Sequence, residues 1–453
     1  MTPRFRSALI CGALALAGCA DNSGPTAYVR NTTLADELKV KPAFREQVAK
    51  VLDETFGPSP RDLRVPEGTD LLMGGVFLAN TVRKGDPNNP QIVPIIDRDT
   101  KQPIEGGYAL YRRHCLHCHG VSGDGNGPTS EWLWPHPRDY RPGVFKFTST
   151  AAGQKPTRAD LRKTILQGID NSSMPAFATQ MSRDEIEQVL DYVMFLSMRG
   201  EVERRLLNAV AGAEESDTEA LSADIIKEET QAVLTSWTTA REQVVDPPIP
   251  RSPTPDIDGF RASVLRGREL FLKQDCKDCH GTLAQGDGGS FVRPEISNRI
   301  IFELAPRPID ERVKLVTEEQ FEEYLERSPL AEKTGSDRRE AIEQERKSFE
   351  EKFKKDWENS LDDWKQPIRP ANLNRGVYKG GRRPIDIFWR IRKGINGAKM
   401  PAHDLPPEQI WDLVNFVLTL PDDPDLLRKA PPGLVTPTSP TPAPSAPKPV
   451  AQR

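Results

Sequence analysis

The chain has 453 residues, with 62 basic against 66 acidic side chains, a formal net charge of −4, and 41 prolines. That length leaves room for about three domains of roughly 150 residues each, and a hydrophobic content of 37%, below the roughly 45–50% of ordinary globular chains, implies that part of the chain is linker or tail. The charge balance supplies no basic field for a polyanion, so nucleic-acid binding has no support. No run of about 18 or more uncharged apolar residues follows the start, so no membrane-spanning helix is expected.

At the amino terminus Arg4 and Arg6 precede an apolar run from Ala8 to Ala17, the charged and apolar regions of a secretory signal. The run ends in Leu16-Ala17-Gly18-Cys19, which resembles the bacterial lipobox. That resemblance implies a signal peptide over 1–18 and diacylation of Cys19, with the mature protein exported and lipid-anchored on the periplasmic side of a bacterial membrane. Two or more acyl chains suffice for stable anchoring, whereas one does not. Ala20 and Asp21 leave inner and outer membrane open. Residues 19–102 form an extension with helical character around Leu34–Phe56, then a Pro- and Gly-rich stretch; it either wraps on the domain that follows or spaces it from the lipid.

Six cysteines occur, and Cys11 leaves with the signal. The four besides Cys11 and Cys19 fall in two identical spacings, Cys115-Leu116-His117-Cys118-His119 and Cys276-Lys277-Asp278-Cys279-His280. Both read C-x-x-C-H, the attachment signature of c-type haem. Two thiols one helical turn apart reach the two vinyl groups on one porphyrin edge, and the next residue turns its imidazole onto the iron. A structural zinc site would need further cysteines that the chain does not have. Two covalently bound haem c groups are therefore expected.

The motifs sit in a repeat. Before them, Gly107, Leu110 and Tyr111 match Gly267, Leu270 and Phe271, which predicts a helix whose last turn carries the thiols. After them come Gly123-Asp124-Gly125 and Gly286-Asp287-Gly288, read as equivalent turn-forming loops. Pro137, Tyr140, Gly143, Val144, Phe145 and Lys146 then match Pro370, Leu373, Gly376, Val377, Tyr378 and Lys379. Leu161, Ile165 and Gly168 match Ile387, Ile391 and Gly394, and one interval leads to Met174-Pro175 and Met400-Pro401. A closing helix follows in each copy, with apolar Ile186, Val189, Leu190, Val193, Phe195 and Leu196 against Ile410, Leu413, Val414, Phe416, Val417 and Leu420.

This arrangement resembles the class I cytochrome c family, over about 103–200 and, interrupted, 259–421. The resemblance implies a mainly α protein with two tandem domains, each wrapping helices around one covalent haem. It implies His119 and His280 as proximal ligands, Met174 and Met400 as distal ligands, and Pro137 and Pro370 as donors of the carbonyl that holds each proximal imidazole. Met181 and Met198 have no counterparts in the second copy and are expected in the core. His117 lies inside its own motif, His114 reads as a solvated helix residue, His136 as packing near the haem edge, and His403 as a competitor of Met400.

Between the copies, 201–258 combines helical spacing over Val202–Val244 with a Pro-rich run from Asp246 to Pro255, an extended, semi-rigid linker. In the second copy 120 residues separate His280 from Met400, against 55 from His119 to Met174. The excess is an insertion over about 290–366, whose Ser336–Trp364 part is strongly charged and carries Phe349, Phe353, Trp357 and Leu361 at every fourth position. That stripe either packs on its own domain or is a docking surface for a membrane partner or a cap over the second haem, and aromatic exposure decides. The tail over 422–453 is rich in Pro, Ala, Thr and Ser and is expected to be disordered.

Six-coordinate iron passes single electrons and leaves no open site for dioxygen or peroxide. The expected role is thus an electron carrier, not an enzyme, between redox proteins: a quinol-oxidising complex or dehydrogenase upstream, an oxidase or soluble cytochrome downstream. The rivals are a fixed electron-transfer subunit of a membrane complex and a dihaem peroxidase.

Overall fold

The computed structural model describes residues 27–428 apart from 61, 70, 72–80, 85–90, 97–100, 102, 105, 218, 246–255, 305–306 and 333–335. The signal segment with Cys19, the Pro-rich run 246–255 and the tail from 429 onward lie outside the described residues. The chain divides into two compact units, Met1–Val144 with Phe177–Ala240, and Phe145–Ala176 with Arg241–Arg453. No described helix is long and apolar enough to cross a membrane.

In the first unit, α1 (Thr32–Glu37) starts where the Asn31 side chain accepts from the Leu34 amide. Helix α2 (Pro42–Phe56) starts with proline in its first turn and buries Phe44, Val48, Leu52 and Phe56, one face at a four-residue interval. A small antiparallel meander follows, β1 (Thr81–Lys84), β2 (Gln91–Ile96) and β3 (Pro103–Ile104), with Val82 opposite Val93 and Ile95 opposite Ile104. The sequence reading did not anticipate this meander. Helices α3 (Gly107–His114) and α4 (Leu116–His119) carry the first C-x-x-C-H motif. The next helix in the chain, α5 (Arg158–Gln167), belongs to the second unit.

Helix α6 (Arg183–Ala209) opens in a capping box of Ser182 and Glu185. It buries the whole expected closing-helix set, Ile186, Val189, Leu190, Val193, Phe195 and Leu196, together with Met181 and Met198 near it or on it. Its crossing with α3 is close: a Cβ on Gly107 would stand 2.3 Å from the Gln188 carbonyl oxygen. The helix continues past the expected boundary at 200, and α7 (Ala223–Thr238) packs on that continuation, with the Trp237 indole donating to Glu201 at 3.1 Å. The extension wraps on the same helix. Phe56 meets Phe195 edge-on at 5.7 Å, the Asn31 amide donates to Glu203 at 2.8 Å, and the Val29 amide donates to the Ser122 hydroxyl at 2.6 Å.

The second unit contains α5, α8 (Ile257–Lys273), α9 (Cys276–His280), α10 (Pro294–Asn298), α11 (Ile309–Arg327), α12 (Ser336–Asn359), α13 (Pro384–Lys393) and α14 (Pro407–Thr419). Helix α8 crosses α14 at Gly267, where a Cβ would stand 2.1 Å from the Asp412 carbonyl oxygen. Around that point the Ser263 hydroxyl and Nε and Nη2 of Arg266 donate to the Asp412 carboxylate at 2.6–2.8 Å. Phe388 of α13 packs against Trp411 of α14 at 4.5 Å. Lys163 of α5 reaches Asp386 at the start of α13 at 2.7 Å, where Arg383 also binds. Buried Lys393, at the end of α13, donates to Thr148 at 2.7 Å.

The insertion forms its own small core. Phe353 and Trp357 are only 8% and 7% exposed and pack with Val292, Ile300 and Val316, with Phe349 and Leu361 beside them. The aromatic stripe is therefore spent internally, which removes the docking-surface reading. The chain also stays on the fold after Pro421: Leu427 is buried and Arg268 donates to the Leu426 carbonyl at 2.9 Å. Residues 422–428 are thus ordered by contact, in contrast to the expected disordered tail, because two leucines and a buried guanidinium outweigh the Pro-rich composition beyond them.

Candidate functional site

Helix α3 ends at His114, with Arg112, Arg113 and His114 in its last turn, where cations suit the negative end of the helix dipole. Cys115 breaks the helix with φ −120°, and α4 restarts at once and ends at Gly120 with φ +74°. The Cys118 and His119 amides both donate to the Cys115 carbonyl, at 3.1 and 2.9 Å, so the motif is one tight turn. The second motif is α9, closed by Gly281 with φ +81°. None of the four motif cysteines is in a disulfide. Cys115, Cys118 and His119 lie together in the first unit, and Cys276, Cys279, His280 and Met400 in the second. Met174 belongs to 145–176, which clusters with the second unit.

Each proximal imidazole is held by a backbone carbonyl: His119 Nδ1 donates to Arg138 at 3.0 Å and His280 Nδ1 to Ala371 at 3.0 Å. Pro137 and Pro370, the expected acceptors, are each one residue too early. The proline carbonyls instead face Gly125 and Gly286, where a Cβ would lie 2.7 and 2.6 Å from them. It is the next peptide that points at the ring. A carbonyl only accepts, so Nδ1 carries the proton and Nε2 keeps its lone pair for a metal.

The loop after each histidine shows the true register of the repeat. The Gly125 and Gly286 amides donate to the His119 and His280 carbonyls at 3.0 and 2.8 Å, and the Gly127 and Gly288 amides to Cys118 and Cys279, both at 3.1 Å. Gly-Asp-Gly at 123–125 is therefore not the counterpart of 286–288; it is displaced by two residues. Gly123 corresponds to Ala284: both have positive φ, +69° and +57°, and their carbonyls accept from Tyr140 and Leu373 at 2.6 and 2.9 Å.

The methionine loops are the same turn built twice. After α5 and after α13 the chain turns at Gly168 (φ +68°) and Gly394 (φ +72°), and a Cβ there would stand 2.6 and 2.5 Å from the Met174 and Met400 carbonyls. The Ile169 and Ile395 amides close each loop onto those carbonyls, both at 3.1 Å. Met174 and Met400 are half-buried, unlike Met181 and Met198, which are core. Met400 and Cys276 pack against the same apolar cluster of the second unit.

Burial pushes the Cys115 thiol up to about 12 and Cys276 up to about 11, keeping both neutral. It pulls the His119 imidazole down to about 4 against the opposing hydrogen bond to Arg138, and lowers His280 in the same way. An uncharged imidazole is what a metal requires. The remaining histidines take lesser places: His117 is exposed, His114 is half-buried edge-on against Phe177 at 5.8 Å, and His136 donates to the adjacent Pro137 carbonyl at 3.1 Å.

Sequence reasoning missed two features. Thr129 stands 3.5 Å from the Cys118 sulfur, and Ser290, the same distance along the chain in the second copy, hydrogen-bonds Cys279; a hydroxyl ten residues after each histidine was the available signal. Tyr140 stacks on the His119 ring, centroids 4.6 Å apart and planes 22° apart.

Comparison with known proteins agrees with this geometry. Residues 102–193 match the family model for cytochrome c oxidase, cbb3-type, subunit III, and residues 264–421 match that for cytochrome c. No curated protein matches. A solved chain of the reducing HAO-like protein complex of Kuenenia stuttgartiensis aligns at 22% identity, over 69% of this chain and 94% of that chain, with a TM-score of 0.40. The paired thiols and the Nδ1-tethered imidazoles fit covalently bound haem c with its iron, one group for each matched segment.

Proposed function

This chain being a dihaem class I c-type cytochrome, we propose that it is a lipid-anchored, periplasm-facing carrier that passes single electrons between respiratory redox proteins. Haem c, when bound, supplies reversible one-electron chemistry at iron. The protein's residues do the rest. Cys115, Cys118, Cys276 and Cys279 would hold the two groups, and the Arg138 and Ala371 carbonyls engage Nδ1 of His119 and His280, leaving Nε2 as the nitrogen that would bind the metal. Met174 and Met400 would be the thioether donors to the metal and would exclude water and small oxidants, which favours electron transfer over oxygen or peroxide chemistry. Cys19, acylated, holds the chain to the bilayer.

The observation that carries this reading is the duplicated construction, in which each copy ties its imidazole at 3.0 Å and closes a Gly-to-Met loop at 3.1 Å. A peroxidase needs one site able to open, and the two methionine loops are alike. Redox titration with near-infrared spectroscopy tests it: two ferric irons with a thioether sulfur band support a pure carrier, while an iron without that band that turns over peroxide overturns it. Mass spectrometry of the mature amino terminus tests acylation at Cys19.

A second reading draws on the first segment's match to an oxidase subunit: the chain is a fixed wire inside a membrane complex, fed by a quinol-oxidising complex or dehydrogenase. Purification from mild-detergent membranes separates the two, since a subunit stays with its complex at high salt and a shuttle leaves.

A further inference from the structure

The two haem sites share one plan but not one environment. Four levers set the potential of such a centre: axial ligand, hydrogen bonding of that ligand, burial and nearby charge. On the reading above, both sites have His and Met ligands. Hydrogen bonding also cancels, because each proximal Nδ1 donates to a carbonyl at 3.0 Å.

Burial does not cancel. His119 is 9% exposed and is covered by the stacked ring of Tyr140, itself 6% exposed. The ring fits because position 123 is glycine: a Cβ there would come 2.6 Å from Tyr140 Cδ2. At the second site the equivalent pair is Ala284 and Leu373. Among the described residues no ring covers His280, and that residue is half-buried. The small-large pairing is thus Gly with Tyr in one copy and Ala with Leu in the other. Ferric iron carries one more positive charge than ferrous iron, and a drier wall disfavours the extra charge.

Charge acts in the same direction. Asp275 and Asp278 flank the thiols of the second motif and are exposed, whereas no acidic residue lies between Gly107 and His119. Carboxylates beside the second site favour the ferric form there, with an effect that solvent and salt reduce.

We infer that the site built on Cys115, Cys118 and His119 has the higher potential, that the site built on Cys276, Cys279 and His280 has the lower, and that Tyr140 is the positioning residue that maintains the difference. A single electron taken from a one-electron protein donor therefore resides at the first site, with no proton or further reactant consumed. The first site is reduced first and oxidised last. This inference rests on the two-haem reading, and a pyridine haemochrome assay on the same sample separates them: fewer than two c haems per chain sinks that reading itself.

The test is a potentiometric titration of the full-length holoprotein, read in the visible bands. Two one-electron waves are expected. Tyr140→Leu lowers the upper wave alone, by at least a tenfold change in the reduction equilibrium, which is 59 mV for one electron. Tyr140→Phe, which keeps the ring, leaves it in place. Asp275→Asn with Asp278→Asn raises the lower wave alone. A single unresolved wave, a Tyr140→Leu effect on the lower wave or on neither, or an aspartate effect on the upper wave overturns the inference. If Tyr140→Leu does not accumulate as holoprotein, the surface aspartate variants decide the order by themselves.

Discussion

Replacing Gly267 with alanine probes the helix crossing on which the second haem domain is hung. The added Cβ would stand 2.1 Å from the Asp412 carbonyl oxygen and 2.7 Å from the Phe416 Cβ, whereas a carbon ordinarily approaches a carbonyl oxygen no closer than about 3.3 Å. The obstacle is backbone, so a rotamer change does not relieve it, and α8 must move off α14 by about 1 Å. Overpacking of this kind costs about 3 kcal/mol at the upper end of its usual range. Alanine returns about 1 kcal/mol through its better helix propensity. The net loss is about 2 kcal/mol, which for a domain of this size lowers the unfolding midpoint by roughly 4–8 °C. Thermal unfolding by circular dichroism of the holoprotein reads this directly, with Gly289→Ala as the control because nothing lies within 4 Å of its added Cβ. Gly107→Ala meets the Gln188 carbonyl at 2.3 Å and shifts the first unit in the same direction. A Gly267→Ala protein that melts within ~1 °C of the parent would show that the crossing is not the constraint described.

Three other outcomes follow from named contacts. Burial raises the Asp386 carboxyl, but Arg383 and Lys163 outweigh it and hold it below its ordinary 3.8; the unfolded chain therefore binds the proton more readily, and the stabilisation, present above 3.8, is lost as pH falls through the lower folded value. Asp386→Asn should cost about 2 kcal/mol at neutral pH and flatten that acid limb in urea titrations run at several pH values. Trp357→Ala should cost about 3–5 kcal/mol within the insertion and make 290–366 the first site of limited proteolysis, with both haems still attached; unchanged cleavage there would count against a self-contained core. Met174→His or Met400→His should lower one potential while the haem stays bound, and an unmoved wave in voltammetry would remove that methionine from the ligand set.

The attachment motifs, the methionine loops and the buried stripe of the insertion were legible because each depends on side-chain chemistry or spacing. What stayed hidden depends on the backbone. Which peptide faces an imidazole is a matter of carbonyl orientation, so Pro137 and Pro370 drew attention while Arg138 and Ala371 do the holding. Gly-Asp-Gly occurs in both copies out of register, and the left-handed position filled by Gly123 is filled by Ala284 in the second, so the matching letters misled. The continuation of α6 and the docking of α7 rest on tertiary burial of Trp237, which local pattern reports only as helical spacing.

The base of the insertion is clasped: the Val292 amide donates to the Ser360 hydroxyl at 2.9 Å and the Ile368 amide to the Ser360 carbonyl at 2.7 Å. Entry and exit of the segment are thus pinned to one residue, and the entropy of closing so long an excursion is met inside the excursion itself. The porphyrin-binding scaffold experiences the added chain as a short turn. Such an arrangement lets a domain acquire, enlarge or discard a lobe without disturbing the geometry around its metal.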